Sequence, residues 1–188
     1  LRLVMGINPK QFFYELKPGE VFECPEVVMA FSKHGLTGLS HLYHDFYRTN
    51  LCHSKFVMDV QRPVLINSWE AAFMDFDDVK LVEIAKAAKK MGVDLLVMDD
   101  GWFGKRDDDN SGLGDWYVNE NKIKCGLHKL VEQINDLGMK FGIWFEPEMV
   151  SEDSDLYRAH PEWAMEIPGR KGVRSRNQLA LDMSRKEV

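Results

Sequence analysis

The stretch "AAKKMGVDLLVMDDGWFG", residues 87–104, decides the fold, because it closes a helix on a glycine, runs through a short apolar strand and leaves on two aspartates. Leu95, Leu96, Val97 and Met98 follow one another with no polar alternation, which marks a strand covered on both faces, as in a parallel sheet. Upstream, Val79, Leu81, Val82, Ile84, Ala85 and Ala88 fall on one side of a helix predicted from Asp75 to Met91, with Gly92 as its stop. The same grammar repeats outward. "PVLINSW" (63–69) is a strand, residues 126–137 a second helix stopped by Gly138, and "KFGIWFEPE" (140–148) a third strand. Strands alternating with helices predict an α/β fold, either doubly wound or a (β/α)8 barrel.

The connections favour the barrel. A dinucleotide-binding fold carries GxGxxG in its first strand-to-helix turn, and "NSWEAAFMDF" (67–76) has no such pattern. Polar and aromatic residues gather instead at the C-terminal end of each strand: Asn67 and Trp69, then Asp99, Asp100 and Trp102, then Trp144, Glu146 and Glu148. Barrel enzymes build their sites at that face.

Before Pro63 the style differs. Phe12 to Met29 shows short apolar runs broken by Pro18-Gly19, which predicts antiparallel strands. Leu39, Leu42, Tyr43, Phe46 and Tyr47 predict a helix over 37–50. Two parts are therefore expected, residues 1–62 and residues 63–188.

Composition narrows the function classes. With 45% hydrophobic residues among 188, the chain has material for an ordinary core, and a formal net charge of -6 argues against nucleic-acid or anionic-membrane partners. Cys24, Cys52 and Cys125 form no CxxC pair, so neither a disulfide framework nor a zinc site is expected, and a cytoplasmic location fits. No apolar run is long enough for a membrane span. The chain starts on Leu1 rather than Met, and Ser184 to Val188 reads as the first turn of a helix capped by Ser184, so a piece of a longer protein is expected.

Tryptophan faces and paired carboxylates are the groups that hold sugars, the first by stacking on C–H faces and the second by accepting hydroxyl hydrogen bonds. Trp69, Trp102, Trp144, Asp99 and Asp100 supply both. Asp99 and Asp100 are adjacent and point to opposite sides of a strand, so they do not straddle a scissile bond as a retaining pair must, at roughly 5 to 5.5 Å. They read as binding groups. Glu146 and Glu148 lie two apart on one side of an extended segment, better placed for catalysis than the adjacent aspartates, yet Pro147 between them suits a structural bend and catalysis is not expected there. Aligning Asp107 with the first ligand of a calcium loop puts Val118 where a bidentate Glu is required, so that reading fails, and His41 and His44 lack further ligands. No metal is expected. Arg176, beside the apolar "QLALDMS", is either part of the solvated surface loop that Arg170, Lys171 and Arg174 suggest or a hydroxyl or carboxylate clamp at the mouth, and spacing alone leaves both open. The run itself is either a fourth strand or an excursion.

"PVLINSWEA", "DDGWFGKRDDD", "LGDW", "FGIWFEPEMVS", "HPEWA" and "RNQLALDMSRKEV" resemble the α-galactosidases of glycoside hydrolase family 36, and the resemblance runs from about residue 14 to the end. It implies the first part of a (β/α)8 barrel, about three βα units, preceded by the end of an N-terminal β-sandwich domain and a linker helix. It implies retaining cleavage of terminal α-galactosyl residues from melibiose- and raffinose-type oligosaccharides, without metal or cofactor, by an enzyme expected to be a homo-oligomer. A related enzyme on another α-linked sugar, or a non-catalytic sugar-binding remnant, is the alternative. The family's galactose-binding positions fall on Trp69, Asp99, Asp100, Trp144 and Arg176. Its nucleophile, in a KWDxN-type strand, and its acid/base have no counterpart here and are expected after Val188, so the segment alone is expected to be inactive. The same resemblance places "LALDMS" within the long connection after the third strand.

Overall fold

The computed structural model describes residues 2–10, 12–52, 61–166, 169, 172 and 174–188. The chain divides into two compact units, Leu1–Arg62 and Pro63–Val188.

In the first unit, helix α1 spans Gly35–Phe46 and continues as a π-helical turn over Tyr47–Leu51. Thr49 Oγ1 donates to the Asp45 carbonyl at 2.9 Å and Asn50 Nδ2 to that of Phe46 at 3.1 Å, so side chains help satisfy carbonyls along the widened turn. The turn expected at Pro18-Gly19 is present, with Glu20 N donating to Lys17 O at 3.0 Å and Gly19 at φ 88°, where glycine meets no Cβ penalty. The antiparallel strands expected over 12–29 are a correction: no strand forms among the described residues of that stretch. An extended segment becomes a strand only when another backbone pairs with it, and here the contacts are between side chains, with Tyr14 and Phe22 ring centroids 4.5 Å apart.

The second unit carries the sheet. Strand β1 (Leu65–Asn67) is followed by the single-turn helix α2 (Trp69–Ala72) and by α3 (Asp78–Lys90); β2 (Leu95–Met98) by α4 (Leu127–Asp136); then comes β3 (Lys140–Ile143). The three strands are parallel in the order β1-β2-β3, with Leu65 opposite Leu95 and Leu95 opposite Lys140. Helix α3 starts where the Asp77 side chain accepts Lys80 N–H at 2.8 Å and stops at Gly92, at φ 85°. Its buried face is Leu81, Ala85 and Ala88, while Val79, expected on that face, is 62% exposed one position off the stripe. Leu130 and Ile134 of α4 join Leu96 and Met98 of β2 in one core.

The third strand is shorter than expected. It ends at Ile143, because its partner β2 stops at Met98, whose carbonyl takes the last ladder bond from Trp144 N–H at 3.0 Å, and Glu146 and Glu148 lie on the turn that follows. The chain then makes a second, antiparallel sheet from β4 (Met149–Ser151), β5 (Arg174–Ser175) and β6 (Gln178–Ala180) in the order β4-β6-β5, with the short helix α5 (Asp155–Ala159) and a 3-10 turn at Pro161–Trp163 between β4 and β5. The "QLALDMS" run is thus an excursion outside the parallel sheet. No helix forms at Ser184: its amide and hydroxyl both donate to Asp182 Oδ1, at 3.1 and 2.6 Å, so the hydroxyl is engaged locally instead of capping a helix.

Candidate functional site

The C-terminal ends of β1 and β2 are wired together. Asn67, the last residue of β1, accepts Trp69 N–H on Oδ1 at 2.7 Å and donates from Nδ2 to Asp99 Oδ2. Buried Ser68 accepts Asp99 N–H at 3.1 Å, and Asp99 Oδ1 accepts Asp100 N–H at 2.7 Å. The Asp99 carboxylate is therefore fixed by groups from both strand ends.

Asp100 is 2% exposed, and a carboxylate so buried needs a compensating charge. Arg106, itself 0% exposed, provides it: Nε donates to Oδ1 at 3.0 Å and to Oδ2 at 3.2 Å, and Nη2 to Oδ2 at 2.9 Å. This side-on fork is among the stronger hydrogen-bonded geometries. The loop after β2 doubles back to deliver Arg106. A Cβ on Gly112, at φ 77°, would come within 2.9 Å of Arg106 N, so the return fits only glycine. Lys122 Nζ ties the loop by donating to the carbonyls of Met74, Gly101 and Arg106 at 2.8, 3.0 and 3.1 Å, and pairs with Asp107 at 2.8 Å.

Arg176 arrives from the antiparallel sheet. With Asn177 it forms the two-residue tip between β5 and β6, at φ 49° and 63°, the left-handed pair such hairpins require. Asparagine tolerates that region, whereas an arginine held there costs about 1 kcal/mol. The strained residue puts its guanidinium 5.8 Å from the centre of the Trp69 ring. Asp109 holds it side-on, at 2.6 Å from Nη2 and 3.4 Å from Nε, and Asn177 Nδ2 donates to Asn110 Oδ1 at 2.9 Å. The Asp109 carboxylate pushes the Arg176 guanidinium further above its usual range, against the opposing effect of burial.

These elements enclose an open cleft of about 320 Å³ that brings together Trp69, Asp99, Asp100, Trp144 and Arg176, with Asn67 and Glu70 completing its lining. Two indole faces, carboxylate acceptors and a guanidinium donor suit a ligand rich in hydroxyls and C–H faces. Trp102, grouped with the sugar-stacking tryptophans from sequence, is instead a core residue: it is 3% exposed, packs at 5.2 Å on Phe103 and donates from Nε1 to the Trp144 carbonyl at 2.9 Å. Glu146 and Glu148 do not line the cleft. Burial, then the neighbouring charge of Glu148, pushes the Glu146 carboxyl above the usual carboxylate range. Among the described residues no group of three or more His, Cys, Asp or Glu is arranged to hold a metal.

Sequence reasoning passed over Arg106 and Asp109. The visible signal was the run Lys105-Arg106-Asp107-Asp108-Asp109, whose charges have to be balanced somewhere. Asp107 meets Lys122, and Asp109 meets Arg106 and Arg176; neither remote pairing is written in local spacing.

Comparison with known proteins matches residues 21–188 to the Melibiase family model. The bifunctional alpha-galactosidase/sucrose kinase AgaSK of Mediterraneibacter gnavus is 58% identical over 187 residues, which is 100% of this chain and 20% of that protein. The crystal structure of the alpha-galactosidase AgaA from Geobacillus stearothermophilus superposes with a TM-score of 0.92 at 53% identity, over 97% of this chain and 25% of that one. A variant of AgaA in complex with raffinose gives a TM-score of 0.91 at 52% identity. The chain thus spans a fifth to a quarter of the length of these relatives. A parallel sheet whose strand ends converge on one cleft, matched over nearly the whole chain by a single family, leaves one assignment: the chain belongs to the melibiase family.

Proposed function

We propose that this segment is the galactose-gripping part of an α-galactosidase, and that its three parallel strands are the opening βα units of a (β/α)8 barrel. The observation that carries the reading is the meeting, in one cleft, of Trp69, Asp99, Asp100, Trp144 and Arg176 from three strand ends and a hairpin tip. Tryptophan faces stack on the apolar side of the galactosyl ring, Asp99 and Asp100 accept hydrogen bonds from neighbouring hydroxyls, and Arg176 donates to a third. The raffinose complex of the AgaA variant supports α-galactoside oligosaccharides as the substrate class.

In this reading the two aspartates orient and do not cleave. Asp99 is held by Asn67 and the Asp100 amide, Asp100 by Arg106, and both leave one strand side by side. They act by binding the reacting ring, and hydroxyl contacts of that kind strengthen towards an oxocarbenium-like transition state. Nucleophile and acid/base are assigned to other parts of the full-length enzyme.

The test is hydrolysis by the full-length protein of chromogenic α-galactoside, α-glucoside and α-N-acetylgalactosaminide. Strong preference for the α-galactoside is expected. Preference for either of the others would move the cleft to another α-sugar, and no hydrolysis of any, with galactose still bound, would make it a binding module.

A further inference from the structure

Asp109 is half-exposed and belongs to neither the sheet nor the cleft lining, yet it touches both arginines of the site. Its Oδ1 lies 2.6 Å from Arg176 Nη2 and 3.5 Å from Arg106 Nη2. The two contacts differ in kind. Arg106 is fully buried and already matched by Asp100, so its charge stays compensated without Asp109. Arg176 is 48% exposed along its side chain, and among the described residues Asp109 is the only hydrogen-bonding partner of its guanidinium.

The side-on geometry settles which donors remain. Asp109 takes one N–H from Nε and one from Nη2, the same edge of the planar fork. Of the five N–H donors of a guanidinium, both on Nη1 and one on Nη2 stay available. Arg176 lines the cleft and Asp109 is not among its lining, so a ligand there would meet an arginine whose charge is already matched and whose remaining donors are unused. An unpaired guanidinium would instead prefer an oxyanion.

We infer that Asp109 is a positioning residue: it selects the edge of Arg176 that faces the cleft and cancels its charge, making Arg176 a hydroxyl donor and not an oxyanion clamp. This rests on the α-galactoside reading above. Lost charge and lost orientation are expected to show in ligand binding and not in folding, because an exposed pair contributes only about 0 to 1 kcal/mol to stability.

The experiment measures galactose affinity of the full-length protein by the fluorescence of its tryptophans, in Asp109→Ala, Arg176→Ala and the double variant. Each single change is expected to weaken galactose about tenfold. The double variant is expected to be no weaker than Arg176→Ala alone, since Asp109 acts through Arg176. Formate, a carboxylate small enough for the vacated place, is expected to restore affinity in Asp109→Ala by several fold, with sodium chloride at equal ionic strength giving no rescue. Wild-type affinity in Asp109→Ala, additive losses in the double variant, or formate that is inert or competes with galactose each overturn the inference. If Asp109→Ala does not fold, Asp109→Asn takes its place in the cycle, with non-additive losses expected and additive ones again fatal. Wild-type protein that binds no galactose sinks the substrate reading and this inference with it, whereas normal wild-type binding with any of the failures above sinks this inference alone.

Discussion

At the N-terminal ends of the parallel strands the chain turns tightly and spends its polar groups on itself. Gly92 and Gly138, at φ 85° and 71°, end the helices; Asp94 accepts Val64 N–H on Oδ2 at 3.1 Å and Lys140 N–H on its carbonyl at 2.7 Å, and Lys89 Nζ caps Gly138 O at 2.9 Å. At the C-terminal ends the connections are long, and buried carboxylates face a cleft. Both ends carry aspartate, so residue type does not separate them. What separates them is whether the acceptors are used up by the backbone, as at Asp94, or held in place by a side chain that leaves lone pairs over, as at Asp100.

The largest break in that contrast is expected from Arg106→Ala. It strands the Asp100 carboxylate, 2% exposed, without its cation, a change that costs about 3 to 5 kcal/mol when a buried pair loses one partner. Urea denaturation should show the lower midpoint, with galactose binding lost in the same variant. Unchanged stability would mean that Arg106 is not what holds the cleft floor.

Asp99→Ala comes next. A charge-assisted hydrogen bond is worth about 1.5 to 3 kcal/mol, so kcat/KM of the full-length protein on an α-galactoside should fall at least tenfold. Near-wild-type kinetics would take Asp99 out of the site.

Gly92→Ala tests the opposite end. A Cβ there meets nothing within 4 Å, so the left-handed backbone alone is penalised, by about 1 kcal/mol. The midpoint should drop while kcat/KM stays unchanged. Impaired catalysis at normal KM would show that the two ends are not independent.

The smallest effect concerns Asp78, a carboxylate at the start of α3 that serves the fold and not the cleft. Burial disfavours its charge, but hydrogen bonds from Cys125 and Val79, the amides at 2.7 and 3.0 Å, outweigh it and hold the carboxyl below its ordinary value of 3.8. With a depressed folded-state value, the unfolded chain binds the proton first as pH falls. The contribution is whole above the unfolded value and lost as pH drops through the folded one. The stability gap between wild type and Asp78→Asn should therefore be present at pH 7 and shrink towards pH 3, with galactose affinity equal in the two proteins at pH 7.

How much of this was legible in the sequence follows from the range over which each signal acts. Apolar runs and glycine stops act locally, so β1, β2, α3 and α4 were readable, with their ends displaced by a few residues. The strand ends named Trp69, Asp99, Asp100 and Trp144 for the same reason, and the family resemblance added Arg176 to them. Trp102 misled because a tryptophan after a strand looks the same whether its indole faces a ligand or, as here, Phe103 and the core. Arg106 and Asp109 were invisible because their meaning lies in partners fixed by tertiary folding; the Asp109–Arg176 pair spans 67 residues. The strands expected over 12–29 failed in the converse way, since propensity names a strand but supplies no partner.

The two arginines also differ in what a substitution at each would disturb. Arg106 and Asp100 sit at 0% and 2% exposure, so a change in either disturbs the fold before it tunes a ligand. Arg176 and Asp109, at 48% and 39%, stand on a hairpin tip and an outer loop and can be exchanged at little thermodynamic expense. A substitution at the tip or the loop is therefore expected to alter what the cleft meets with the fold intact, whereas one in the aspartate floor is expected to show first as lost stability.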